Sequence, residues 1–250
     1  MPETLLYEGK AKRVFATDDD SVLLHRYKDD ATAFNAQKRG SWKDKGKTNA
    51  PMSAAMFAYL EANGVPSHFI EQVDETTIKT RKLAMLPVAV VVRNVAAGSL
   101  SRLLGFEEGR QLKAPIIELC YKNDALGDPL LNWHHFRELG VGDEDLEFCE
   151  ELGLRVNAVL ASFFDERGVT LVDFKIEVGR DADGKLMLAD EISPDTCRFW
   201  DKETGERLDK DRFRRDLGGM EEAYAEMLRR VQEPSAIGGQ PSAKRKDDES

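Results

Sequence analysis

The clearest pattern in the chain runs through residues 170–201, TLVDFKIEVGRDADGKLMLADEISPDTCRFWD. Val172, Phe174, Ile176 and Val178 are apolar, and Asp173, Lys175 and Glu177 alternate with them, which is the two-residue period of a half-buried strand. The three charges therefore share one face. Arg180-Asp181-Ala182-Asp183-Gly184 supplies turn chemistry, and residues 185–192 are apolar enough to return as the second strand of a hairpin. An unbulged antiparallel pairing with Val178 opposite Lys185 puts Asp190 on the face of Glu177, and a slip in register would move it.

Upstream, residues 5–16 and 22–27 alternate as strands around the Gly9-Lys10-Ala11-Lys12 turn and an Asp18-Asp19-Asp20 turn. Residues 29–49 are polar, glycine-punctuated and lysine-rich, the marks of a long loop. Asn49 is placed to cap a helix with Pro51 in its first turn, Met56, Phe57 and Leu60 inward, and Gly64 past its end. Residues 77–78 and 86–92 form strands, the second a nearly continuous apolar run expected to be buried on both faces. It ends at Arg93, and Ser99 opens a helical segment. Residues 116–121 form another strand, followed by a charged loop through Lys122 and Asp128. Residues 143–168 have helical periodicity, with Leu146, Cys149, Leu152, Val156, Val159, Leu160 and Phe163 inward and Gly168 as terminator. Residues 209–217 and 220–231 form two helices around Gly218-Gly219, and residues 233–250 form a polar, disordered tail.

Composition narrows the function classes. Of 250 residues, 41% are hydrophobic and 33% charged, the balance of a soluble globule large enough for one domain or two lobes. The formal charge of -10 argues against a nucleic-acid or anionic-membrane surface, although a local basic pocket is compatible with it. Cys120, Cys149 and Cys197 are odd in number and contain no CxxC pair, so the expectation is idle thiols in a reducing, cytoplasmic compartment. No apolar stretch approaches a membrane span, and the N-terminal residues lack the apolar core of a signal peptide.

Several residue sets then suggest chemistry. Two carboxylates from neighbouring strands, Glu177 and Asp190, are how Mg²⁺ is held when phosphate oxygens and water complete its octahedron, with Lys175 beside a transferred phosphoryl group. A solvated sheet face with cross-strand salt bridges accounts for the same charges, and spacing alone does not displace that reading. The glycine turn could lay backbone over a nucleotide and aim Lys10 and Lys12 at its phosphates, but GxxxxGK[ST] is absent and plain turn chemistry also fits. Arg93 and Ser99 make an anion pocket or a strand-end cap. His134-His135 has no further ligand at metal spacing.

Three stretches together resemble one family: YEGKAKRVF at 7–15, VVRNVAAGS at 91–99, and LVDFKIEVG with DEISPDTCRFWD within 171–201. In order and spacing they are similar to the SAICAR synthetases of purine biosynthesis, from Leu6 to about Val231. The resemblance implies an α+β, two-lobed fold of the ATP-grasp/kinase-like kind with antiparallel sheets, divided as 1–85, 86–232 and a tail at 233–250. It implies an ATP-dependent ligase that joins L-aspartate to the carboxylate of carboxyaminoimidazole ribonucleotide (CAIR) through an acyl phosphate. Gly9, Lys10, Ala11 and Lys12 become the loop over the ATP phosphates, with Arg81 and Met85 at the hinge beside adenine. Glu177 and Asp190 become Mg²⁺ ligands, and Arg93, Ser99, Lys122, Asp128 and Arg198 substrate contacts. Lys175 and Asp173 are the catalytic candidates, and Asp173 or Asp195 could take the proton of the aspartate amine. The loop at 38–47 could close over aspartate or over the CAIR phosphate. A homo-oligomer without nucleic-acid or membrane partners is also implied. A small-metabolite kinase or a nucleotide-binding regulator would use the same parts, but needs no aspartate.

Overall fold

The computed structural model describes residues 4–33 and 38–233. Of the tail expected at 233–250, residues 234–250 lie outside them. Two antiparallel sheets carry the fold. The first has the order β1-β2-β3-β7-β6, from β1 (Leu5–Glu8), β2 (Lys12–Ala16), β3 (Val22–Tyr27), β6 (Phe69–Gln72) and β7 (Thr77–Arg81). The second has the order β10-β9-β8-β11-β12, from β8 (Ala84–Val95), β9 (Gln111–Tyr121), β10 (Leu130–Leu131), β11 (Val169–Arg180) and β12 (Leu186–Ala189). A further strand, β13 (Cys197–Asp201), pairs with the first half of β11. Between β3 and β6 in sequence come a small ribbon, β4 (Asp30–Ala33) with β5 (Lys38–Ser41), and helix α1 (Lys45–Ala62), while the short helices α2 (Gly98–Leu104) and α3 (Trp133–Glu138) follow β8 and β10.

The apolar run 88–92 is central in its sheet, flanked by β9 and β11, and Val88, Val90 and Val92 are fully buried. Helix α4 (Asp143–Asp165) covers that sheet with Leu146, Cys149, Leu152, Val156, Leu160 and Phe163, while Val159 is only partly buried. The helix lies so close that a Cβ on Gly153 would stand 3.1 Å from methyl groups of both Val90 and Val92, tighter than an ordinary contact. Met56, Phe57 and Leu60 of α1 join the same continuous core, which also takes in Met227 and Val231 of α6 (Met220–Gln232). The sheets are tied directly: the His68 amide donates to Leu188 O at 2.8 Å, and the Leu188 amide donates to Pro66 O at 3.0 Å. Among the described residues no helix is long and apolar enough to cross a membrane.

Four expectations need correction. The loop expected at 29–49 contains a ribbon and the first turn of α1, which starts at Lys45 rather than after Asn49. This polar turn can be buried because distant groups satisfy it: the Gly46 amide donates to Asp29 Oδ1 at 2.9 Å, and Lys45 Nζ meets Asp195 Oδ2 at 2.5 Å. The strand expected to end at Arg93 continues to Val95, so Arg93 projects from inside β8. The helix expected at 209–217 is a single turn, α5 (Asp211–Arg214), because Asp209 is buried and accepts the amides of Phe199 and Asp211. Finally, the hairpin register pairs Val178 with Leu188 and Glu177 with Ala189, not Val178 with Lys185.

Candidate active site

The register correction changes why Asp190 is where it is. With Ala189 opposite Glu177, simple alternation would send the side chain at 190 to the other face. Asp190 follows the end of β12 and has φ 75°, a left-handed turn that aspartate tolerates better than most residues. The turn brings its carboxylate back beside Glu177: Lys175 Nζ lies 2.9 Å from Glu177 Oε1 and 3.9 Å from Asp190 Oδ2.

The alternation of β11 does place Asp173, Lys175 and Glu177 on one face, opposite Arg93, Val91 and Ala89 of β8. Short neighbours at 89 and 91 leave room above the sheet for the long charged side chains. This face floors a cavity of about 700 Å³ whose roof is the first sheet, through Lys12, Val14 and His25, and whose rim includes the turn at 9–11 and Met85. The turn is shaped by the Gly9 amide donating to Lys12 O at 2.8 Å.

Both lysines of this turn reach the opposite sheet. Lys12 Nζ is 2.6 Å from Asp190 Oδ1 and 3.6 Å from Glu191, and Lys10 Nζ is 2.5 Å from Asp124. Burial works against the Lys12 charge, but Asp190 and Glu191 outweigh it and hold its pKa well above the ordinary value. Asp190 responds in kind: burial alone would raise its pKa, yet Lys12 and Lys175 bring it below the carboxylate range. Burial dominates at Glu191 and raises its pKa, against the pull of Lys12. Glu177 also meets Lys122 at 2.5 Å. Glu177 and Asp190 are hard oxygen donors within reach of one ammonium group. Among the described residues no third His, Cys, Asp or Glu completes a metal-binding group with them. That donor set fits Mg²⁺, which takes its other ligands from phosphate and water, and does not fit an all-protein cage.

A second charge cluster sits at the other end of the floor. Arg93 donates to Glu118 through Nε and Nη2, to Asp173 through Nη1 at 2.9 Å, and to Ser99 Oγ at 2.8 Å. Arg198 donates to both oxygens of Asp173 through Nη1, and through Nε to Asp211 Oδ2 at 2.9 Å. Asp173 therefore holds two guanidiniums. A third cluster surrounds Asp195: Lys45 at 2.5 Å, the Tyr224 hydroxyl donating at 2.8 Å, and Lys210 at 3.8 Å.

Of the residues expected from the sequence, Gly9, Lys10, Ala11, Lys12, Met85, Arg93, Lys122, Asp128, Asp173, Lys175, Glu177, Asp190 and Arg198 line one cavity. Ser99 reaches it only through Arg93, and Arg81 is outside, donating to the carbonyls of Ser67 and Phe69. Lys45 is in the interior and is not part of a mobile basic loop. Sequence reading did not assign Glu191, Lys210, Arg214, His25 or His68, which also line the cavity. Glu191 had adjacency to Asp190 as a signal. Lys210 and Arg214 sit in a run of alternating charges that looks like any solvated helix.

The family model described as SAICAR synthetase matches residues 5–231. A relative from Desulfitobacterium hafniense, named phosphoribosylaminoimidazole-succinocarboxamide synthase, is 56% identical over 230 residues, covering 92% of this chain and 96% of the relative. A relative of the same name from Deinococcus radiodurans is 55% identical over 226 residues, covering 90% and 95%. Among solved structures, a SAICAR synthetase (Type-2) in complex with ADP superposes with a TM-score of 0.88 at 46% identity, covering 95% of this chain and 99% of that one. The phosphoribosylaminoimidazole-succinocarboxamide synthase from Ehrlichia chaffeensis gives a TM-score of 0.89 at 39% identity, covering 94% and 100%.

Proposed function

The chain belongs to the SAICAR synthetase family, and we propose that its own residues divide the reaction as follows. The reaction is the ATP-dependent ligation of L-aspartate to the carboxylate of CAIR, giving SAICAR, ADP and phosphate. A carboxylate is a poor electrophile, so it is first phosphorylated by ATP, and the amine of aspartate then displaces phosphate. Both steps ask the protein for positioning and charge stabilisation, not for a nucleophile of its own.

Gly9, Lys10, Ala11 and Lys12 cover the nucleotide phosphates, and Met85 flanks the base at the rim. Glu177 and Asp190 hold Mg²⁺, which when bound neutralises charge on the phosphate oxygens. Lys175, between those carboxylates, faces the transferred phosphoryl group, and Lys122 and Asp128 lie on the acceptor side. Arg93, Ser99 and Arg198 hold CAIR at the far end of the floor. Since Asp173 already holds both arginines, its role is to orient them. The observation that carries this reading is the pairing across the cavity of Lys12 with Asp190, beside the Lys175–Glu177 pair on the floor strand β11. It brings phosphate-binding cations and metal-binding carboxylates to one spot between the sheets.

A lobe boundary near residue 85 is supported by the passage from one sheet to the other, since β7 ends at Arg81 and β8 begins at Ala84. The free thiols Cys120, Cys149 and Cys197 support a reducing, cytoplasmic setting, and a homo-oligomer is the expected assembly. The deciding experiment measures ADP release with ATP, Mg²⁺ and CAIR, with and without L-aspartate, while product mass is followed. Aspartate-dependent release with SAICAR appearing is expected. ADP release indifferent to aspartate would instead identify a kinase.

A further inference from the structure

Aspartate enters the site as an ammonium ion, and a base must free its lone pair before it can attack. The carboxylates of the cavity are already engaged: Asp124 pairs with Lys10, Asp128 accepts the Asn123 amide, and Glu191 accepts the Ser193 hydroxyl at 3.1 Å with Lys12 at 3.6 Å. Asp173 holds Arg93 and Arg198, Glu177 holds Lys122 and Lys175, Asp190 holds Lys12, and Asp195 holds Lys45 and the Tyr224 hydroxyl. The lysines differ among themselves in one respect. Lys10, Lys12, Lys122 and Lys175 each lie within 2.9 Å of a carboxylate oxygen. Lys210 lines the same cavity, its side chain is 12% exposed, and its closest carboxylate among the described residues, Asp195, is 3.8 Å away and already matched.

We propose that Lys210 is the general base that takes a proton from the ammonium group of L-aspartate, an assignment that rests on the ligase reading above. Lys210 precedes α5, with Arg214 one turn further on and also lining the cavity. The charged and titratable groups facing it are Asp195 and Glu191 from the loop after β12, Lys45 from α1, Arg214 from α5, and Tyr224 from α6 through Asp195. Burial lowers the pKa of Lys210; Asp195 opposes this, and repulsion from Lys45 and Arg214 adds to it. A buried lysine beside other cations is a recognised way to obtain a neutral amine near working pH.

In the step itself, neutral Lys210 Nζ accepts one proton from the aspartate ammonium. The freed lone pair attacks the carbonyl carbon of the acyl phosphate, the C–N bond forms, and the C–O bond to phosphate breaks with its electron pair leaving on phosphate. The second amine proton goes to the departing phosphate.

Lys210→Met and Lys210→Arg test this with two nucleophiles. With L-aspartate both variants are expected to lose about 100-fold or more in kcat, the scale of a missing general base. With hydroxylamine, which is neutral at pH 8 and needs no base, ADP and hydroxamate formation should stay within about twofold of wild type, which also shows that the variants are folded. In the wild type kcat should fall as pH drops through the pKa of Lys210, and the variants should lack that limb. An arginine variant with wild-type kcat and an unchanged pH limb would reduce Lys210 to a charge contact, and equal losses with both nucleophiles would move it to the nucleotide or CAIR side; either overturns the proposal. A wild type whose ADP release ignores aspartate overturns the ligase reading itself.

Discussion

Lys45→Met removes a cation from the interior while keeping a long flexible stem that can fill the same space. The Lys45 side chain is 0% exposed and its partner Asp195 4%, with 2.5 Å between Nζ and Oδ2. Removing one partner of a buried pair costs about 3–5 kcal/mol, because the remaining charge is left uncompensated. Asp195 keeps the Tyr224 hydroxyl at 2.8 Å and Lys210 at 3.8 Å, which puts the expected loss at the low end, about 3 kcal/mol. For a chain of this size each kcal/mol moves Tm by about 2–4 °C, so calorimetric melting near pH 7.5 should show a drop of roughly 6–12 °C. Adding Asp195→Asn removes the orphaned charge, and the double variant should be at least about 1 kcal/mol more stable than the sum of the single losses predicts. There is a pH signature as well. Burial opposes the Asp195 charge, but Lys210 and Lys45 outweigh it and lower its pKa below the ordinary value. Its contribution is therefore present above the unfolded pKa and is lost on acidification below about pH 4. Lys45→Met should lose less than wild type there. A single-variant loss under about 1 kcal/mol, or strict additivity in the double variant, would refute the buried pair.

Glu177→Gln and Asp190→Asn should each abolish Mg²⁺-dependent ADP release. Tm should change little in Glu177→Gln, since Lys122 and Lys175 are 26% and 41% exposed and water can take over their pairing. It should fall in Asp190→Asn, which leaves the largely buried Lys12 only Glu191 at 3.6 Å. An active, Mg²⁺-dependent double variant would remove the metal assignment. Gly98 has φ 54°, and a Cβ there would stand 2.6 Å from Arg198 Nη2. Gly98→Ala should therefore push Arg198 aside and raise KM for CAIR about tenfold, about 1.4 kcal/mol, while an unchanged KM would take Arg198 out of CAIR binding. Burial and then the neighbouring Lys12 lower the His25 pKa from 6.5 to about 3, with Asp190 opposing. The folded state keeps the ring neutral, so stability is full above pH 6.5 and falls as pH drops toward 3. At pH 5 the deficit is about 2 kcal/mol, and chemical denaturation at pH 5 and pH 8 should show His25→Leu flattening that difference by about this amount.

Much of the site could be read from local periodicity. Alternation along β11 put Asp173, Lys175 and Glu177 on one face, and the apolar run of β8 had to be a central strand; both depend only on neighbours within one element. The three family motifs supplied the reaction. What periodicity could not supply was the meeting of charges from different elements. Asp190 reaches Glu177 through a left-handed turn and not through the hairpin register. Lys45 looked like one of several solvated lysines until α1 folded against Asp195. Asp211 and Lys210, in a short run of alternating charges, gained their roles only when α5 docked beside Arg198 and the cavity. The free energy of a charge depends on what else is within a few ångströms and on how much water is left. Those are properties of the assembled tertiary structure, whereas the strand and helix periods are written into the chain residue by residue.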